Sequence, residues 1–247
     1  MLDAKIVDSM KKTPIYIMMA VLVSCLIACG SKASNGRATT NATPKERVSK
    51  PQYPPLNVYN MGGVPPKDVE GLVKKLQSIY PNTHYSGELA FVDSTKSKND
   101  PKGNNRYLGK KLGNHLKKTT DTKKGITLVI VNAEVCTWNN EKNESHATFG
   151  ASNLGGHIST ISYQRLKVNR LNNVNELTKV VIHELGHSVA RLVGEREDLR
   201  HHCPHKTCLM RDAKGGYPYK NLTTFCPDCT KKMKAHGFNV ESLRLTP

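Results

Sequence analysis

Apolar residues fall along the chain in three ways. One unbroken run, Ile15 to Ala28, stands near the start, and a stretch with almost no large apolar side chain, Ser31 to Pro55, follows it. From Leu56 onward apolar positions recur in short periodic groups, so a folded domain is expected over residues 56–247. Pro65-Pro66 opens a helix that carries Val69, Leu72, Val73, Leu76 and Ile79 on one face and stops at Pro81. His84 to Val92 reads as a strand, and Ser94 to Asn105 as a polar, lysine-rich loop. Leu108, Leu112 and Leu116 recur every fourth residue and predict a second helix. Ile126 to Val131 is β-branched and bounded by Gly125 and Asn132, which predicts a buried strand. Thr137 to His146 is polar and irregular, and Phe149 to Ser162 reads as one or two strands broken at Gly155-Gly156. A long amphipathic helix is predicted over Val174 to Leu192, ended by Gly194. The rest is loop-rich and cysteine-bearing, with a short basic helix after Cys226. There is no internal repeat. Strands followed by a long helix imply an α/β (α+β) class.

The N-terminal run is too short for a confident membrane span and has the size of a signal-peptide core, preceded by Lys11 and Lys12. Met10 is a more natural start than Met1, because it places both lysines at the beginning. Leu26-Ile27-Ala28-Cys29 resembles a bacterial lipobox; Leu22-Val23-Ser24-Cys25 fits less well, since it would shorten the apolar core. The expectation is a lipoprotein signal over 1–29, lipidation of Cys29, and a flexible tether over 30–55, too polar to fold. An ordinary cleaved signal or a short anchor is the alternative. The protein would be exported and lipid-anchored in the bacterial cell envelope, on the periplasmic or cell-surface side, with the leaflet left open.

Composition adds little to this. The 247 residues are 37% hydrophobic, enough for one domain with a modest core. The net charge of +17 favours anionic partners, but it is spread along the chain, as in an exported protein kept soluble by lysines.

The chemistry concentrates in His183-Glu184-Leu185-Gly186-His187. Histidines four apart share one helix face and can hold one metal, and a glutamate beside them can take a proton from a metal-bound water. A hydrolytic zinc takes three protein ligands and an open position. The candidates for the third are His201, His202 and His205, with Glu195, Glu197 and Asp198 behind them; His202 is favoured because it directly precedes Cys203. Cys203 and Cys208, with Cys226 and Cys229, have the Cys-x4-Cys and Cys-x2-Cys spacing of a structural zinc, although an exported protein could form two disulfides instead. Two zinc ions per chain are therefore expected, with Cys136 left as a buried thiol.

Together these residues resemble the archaemetzincins, a branch of the metzincin zinc peptidases. That family's pattern runs HExxHxxGxxHC, four residues, C, one residue, M, then CxxC. His183, Glu184, His187, adjacent His202-Cys203, Cys208, Met210, Cys226 and Cys229 match it. Phe149-Gly150-Ala151-Ser152, His157 to Ser162 and Arg165-Leu166 look like the family's edge strand and the segment after it. The resemblance implies a metzincin-like single domain: a twisted mixed sheet, an active-site helix and a zinc-knuckled C-terminal part. It implies Glu184 as general base, three histidines on catalytic zinc, Met210 as the Met-turn beneath it, and four cysteines on a second zinc. One departure stands out: His202 lies nine residues later than the family's third histidine, and Ala190 takes the usual glycine position. Gly194 would then serve as the displaced terminator, with Glu195 to Arg200 as an extra loop.

A zinc-dependent peptidase acting on peptide or protein is the leading expectation, endo- or aminopeptidase left open, with no nucleic-acid partner and the oligomeric state open. The alternatives are a catalytically degenerate relative and a non-enzymatic zinc-stabilised module binding an anionic partner. Tyr217 or Tyr219 could stabilise an oxyanion but suits packing better, and His115, His146 and His157 are expected to be structural or exposed.

Overall fold

A computed structural model describes residues 53–93, 106–122, 124–139, 144–153, 156–171, 173–191, 202–211 and 222–243, all within the compact unit Ser49–Pro247. The signal segment with Cys29 and residues 30–52 of the tether lie outside the described residues, as do Gly194, the Glu195 to Arg200 loop, His201, Tyr217 and Tyr219.

Five strands form the main sheet: β1 (Leu56–Met61), β2 (Thr83–Leu89), β4 (Ile126–Val131), β7 (Gly150–Asn153) and β8 (Ile158–Ser162). Their order is β2-β1-β4-β8-β7, parallel throughout except for β7, which runs antiparallel to β8 at the edge. A smaller sheet joins β3 (Tyr107–Leu108), β5 (Val135–Asn139) and β6 (Glu144–Thr148). The main sheet is covered on both faces. Leu128 and Ile130 of β4 face the core formed with α1 (Pro66–Ile79) and α4 (Val174–Ser188). Val129 and Val131 face the second core, built on Leu112 and Leu116 of α2 (Gly109–Thr119). A strand buried on both faces has no polar alternation, which is why β4 reads as a continuous apolar run. The C-terminal segment carries α5 (Pro227–Ala235), and its Leu209, Met210, Phe225, Met233 and Phe238 join the α1–α4 core.

Two local expectations are corrected, and two elements with no sequence-based expectation are found. β1 is a central strand, paired with both β2 and β4, although its sequence LNVYNM shows no clean alternation. The reason is Asn60, which is buried but satisfied: its side chain donates to the Val64 carbonyl at 3.1 Å and accepts from the Val64 amide at 3.0 Å. The polar stretch around Thr137 to His146 is a β5–β6 hairpin pair rather than irregular, held by antiparallel pairing from Val135↔Thr148 to Asn139↔Glu144. A short helix, α3 (Tyr163–Val168), follows β8, with Ser162 at its N-cap accepting from the Arg165 amide. Finally, α4 ends at Ser188 rather than near Leu192. Its last turn closes with the Val189 amide on the Leu185 carbonyl at 2.9 Å, and Arg191 at φ +48° turns the chain away. The left-handed residue thus stands one position beyond Ala190 and is not a glycine.

Candidate active site and metal centres

α4 starts cleanly because Asn173 caps it, its side-chain oxygen accepting from the Glu176 amide at 3.0 Å. Helix α4 packs on β7 and β8 below and α1 beside it, so nearly all of its residues are buried. His183 and His187 lie one turn apart on one face, with Nε2 atoms 3.2 Å apart and rings at 81°. The segment after residue 201 folds over that face. The His202 ring stacks on His183 at 5.2 Å and meets His187 edge-on at 5.0 Å. One ligand nitrogen from each of the three histidines falls within 4.8 Å of the others. His205 is exposed and stands outside this group.

A backbone carbonyl orients His183. Its Nδ1 lies 2.6 Å from the Leu209 carbonyl, which can only accept, so Nδ1 carries the proton and Nε2 keeps its lone pair toward the cluster. Burial, with His187 beside it, holds the His183 imidazole well below its ordinary pKa, so it is neutral and able to ligate. Met210, the next residue, is buried in the turn that delivers this carbonyl.

Glu184 points toward β7. Its carboxylate accepts a short hydrogen bond from the Ser152 hydroxyl, and its backbone carbonyl receives Ser159 at 3.2 Å. Ser159 in turn meets Ser188 at 2.8 Å. Burial pushes the Glu184 carboxyl up to about 7, partly offset by Ser152. Gly150 sits so close that a β-carbon there would lie 2.5 Å from Glu184 Cγ. These neighbours are illegible in sequence: Ser152 and Ser159 become partners only through the β7–β8 register, where they pair directly.

The four cysteines Cys203, Cys208, Cys226 and Cys229 are free thiols whose sulfurs all fall within 4.8 Å of one another, with Cys203 and Cys226 at 3.6 Å. Four sulfurs at about 2.3 Å from a tetrahedral zinc stand about 3.8 Å apart, so the cluster is already close to that size. Two backbone amides point at Cys208 Sγ, from Met210 at 3.4 Å and Cys226 at 3.3 Å. A hydrogen bond from the Cys229 thiol, with these amides, draws the Cys208 thiol down to about 5, while burial pushes Cys203 up to about 12. The array therefore favours one thiolate even before a cation arrives. Cys136 is buried in β5, away from the cluster. His146 is exposed, and neither it, His115 nor His157 belongs to a metal-sized group among the described residues.

Three solved structures share this architecture. The archaemetzincin of Methanopyrus kandleri superposes with a TM-score of 0.58 at 18% identity, covering 76% of this chain and 98% of its own. The fold is that of the archaemetzincins. The archaemetzincin of Archaeoglobus fulgidus, solved with malonate, matches at a TM-score of 0.50 and 20% identity, over 72% of this chain and 99% of its own. A zinc-dependent peptidase from Methanocorpusculum labreanum matches at 0.52 and 14%, again over 72% and 99%. No protein-family model matches the sequence, and no curated protein is significantly similar to it. The archaemetzincin fold is thus retained here at a sequence identity where the similarity is carried by architecture.

Proposed function

We propose that this chain is a zinc-dependent peptidase, tethered to a bacterial membrane through a lipid on Cys29. The observation that carries the proposal is the meeting of His183, His187 and His202 within 4.8 Å, beside a buried glutamate on an archaemetzincin fold. The donor set fits zinc: three imidazoles, one of them with its tautomer set by a carbonyl, and no thiolate competing in the same cluster. When bound there, zinc supplies Lewis acidity toward a peptide carbonyl and an acidified water. Glu184 accepts the proton of the attacking water and returns it to the leaving amine. Ser152 holds the Glu184 carboxylate in place, and Gly150 leaves the room it needs. The edge position of β7 lets an extended peptide add to the sheet beside these groups. The four cysteines would hold a second, structural zinc.

The third ligand has a direct test. His202→Ala should lose one zinc per chain by elemental analysis, and with it cleavage of a peptide library, whereas His205→Ala should keep both. The reverse pattern would assign the ligand to His205. Gly150→Ala forces Glu184 to move, so kcat should fall by roughly a hundredfold with zinc content unchanged, the usual cost of displacing a catalytic group by about 1 Å. Unchanged kcat would remove Gly150 from the site. For the tether, Cys29→Ser should abolish incorporation of labelled fatty acid and release the protein from the membrane fraction. Lipid labelling that survives this change would reject Cys29 as the anchor.

A further inference from the structure

On the face of the main sheet opposite the histidines there is a cavity of about 380 Å³, between α2 and the β7 edge. Lys110, Gly113, Asn114 and Lys117 of α2 line one wall, and Ser152 and Asn153 of β7 line the rim. The four α2 residues stand at i, i+3, i+4 and i+7, so they form one helix face. Helix α2, GKKLGNHLKKT, has no acidic residue, and neither Lys110 nor Lys117 makes an ion pair with a described residue.

Gly113 is the second observation. A glycine inside a helix is destabilising relative to alanine. Close packing accounts for such a residue elsewhere in α2: at Gly109 a β-carbon would lie 2.6 Å from the Ala151 β-carbon. At Gly113 a β-carbon would meet nothing within 4 Å. The backbone does not need glycine there; what the missing side chain provides is open space in the cavity.

The third observation is where the cavity lies relative to the catalytic groups. Along β7, Gly150 and Ser152 face Glu184, whereas Ala151 packs into the α2-side core. A peptide added to the β7 edge continues this alternation. Its side chains fall by turns on the histidine side and on the cavity side. Ser152 both lines the cavity and bonds the Glu184 carboxylate, so the two faces are one residue apart.

We infer that this cavity is a specificity subsite for an acidic side chain of the peptide substrate, with Lys110 and Lys117 supplying the charge and Asn114 a neutral hydrogen bond. It rests on the peptidase reading for the path of the peptide, but binding alone can test it. Peptide sets would carry Glu, Gln or Ala at successive positions. They would be compared by kcat/KM on the full zinc-loaded chain and by fluorescence anisotropy on the zinc-loaded Glu184→Gln chain. At one position Glu should be preferred over Gln by about tenfold, the scale of one charge-assisted hydrogen bond. In Lys110→Gln/Lys117→Gln that ratio should fall to about one. In Gly113→Leu, whose β-carbon meets nothing within 4 Å and which suits the helix better, the Glu advantage over Ala should vanish while the Ala peptide binds as before. The absence of a Glu preference at every position, or its survival in both variants, would overturn the subsite. A preference in binding without any cleavage by the unmodified chain would keep the subsite and sink the peptidase reading instead.

Discussion

Glu184→Gln should reduce kcat for peptide cleavage by about a thousandfold, within the range that general acid–base groups contribute, and should leave KM and zinc content nearly unchanged. The substitution is close to isosteric, so it keeps the packing against Gly150 and a hydrogen-bond partner for Ser152. What it removes is the lone pair that takes the proton. In the proposed role it is held on two sides, by the Ser152 hydroxyl from β7 and by the helix that carries the histidines. Activity within severalfold of the unmodified chain would show that another residue acts as base. No cleavage by either chain, with both zinc ions bound, would return the protein to the reading of a zinc-stabilised binding module.

The second large effect concerns folding. Replacing Cys226 and Cys229 by serine should remove at least one zinc per chain and the greater part of the stability of the C-terminal segment. A structural zinc contributes on the order of ten kcal/mol at neutral pH, which approaches the whole stability of a typical domain. Here the segment cannot melt by itself, because Leu209, Met210, Phe225, Met233 and Phe238 are part of the core shared with α1 and α4. The expected result under reducing conditions is loss of the cooperative thermal transition, followed by circular dichroism. His183→Ala is the control: it should also lose one zinc, from the other centre, yet keep a cooperative transition. Two zinc ions and an unchanged midpoint in the cysteine variant would refute a structural metal.

Where the chain's information is local, it is legible. The periodicity of Val69, Leu72, Leu76 and Ile79 places α1, and the β-branched run at Ile126 to Val131 places β4, because each pattern is set by the face its own element buries. The histidine pair and cysteine spacings are legible for the same reason: helix geometry and ligand spacing act over a few residues. Non-local pairing hides the rest. β1 is hidden because its partners β2 and β4 lie far along the chain while Asn60 interrupts its apolar pattern, and Thr137 and His146 read as loop because each depends on the other across a strand pair. The sequence favours His202 over its neighbours only through the adjacent Cys203; in the fold it is the passage of the chain over α4 that sets His202 against His183 and leaves His205 in solvent. Ser152 and Gly113 carry no local signal, since what matters about them is a carboxylate on another element and a volume left empty.

One short stretch serves both centres. His202 and Cys203 are consecutive, Cys203 donates its amide to the Met210 carbonyl at 2.8 Å, and between them Leu209 supplies the oxygen that orients His183. Filling the thiolate site therefore fixes the loop on which the imidazole site depends, and the entropy of ordering that loop is met once rather than twice. Thermodynamic reciprocity makes the benefit mutual: whatever factor one ion adds to the affinity for the other is returned in full. On the two-zinc reading the protein should load its metals cooperatively, and a chelator that strips the cysteines should at the same time weaken the histidine site.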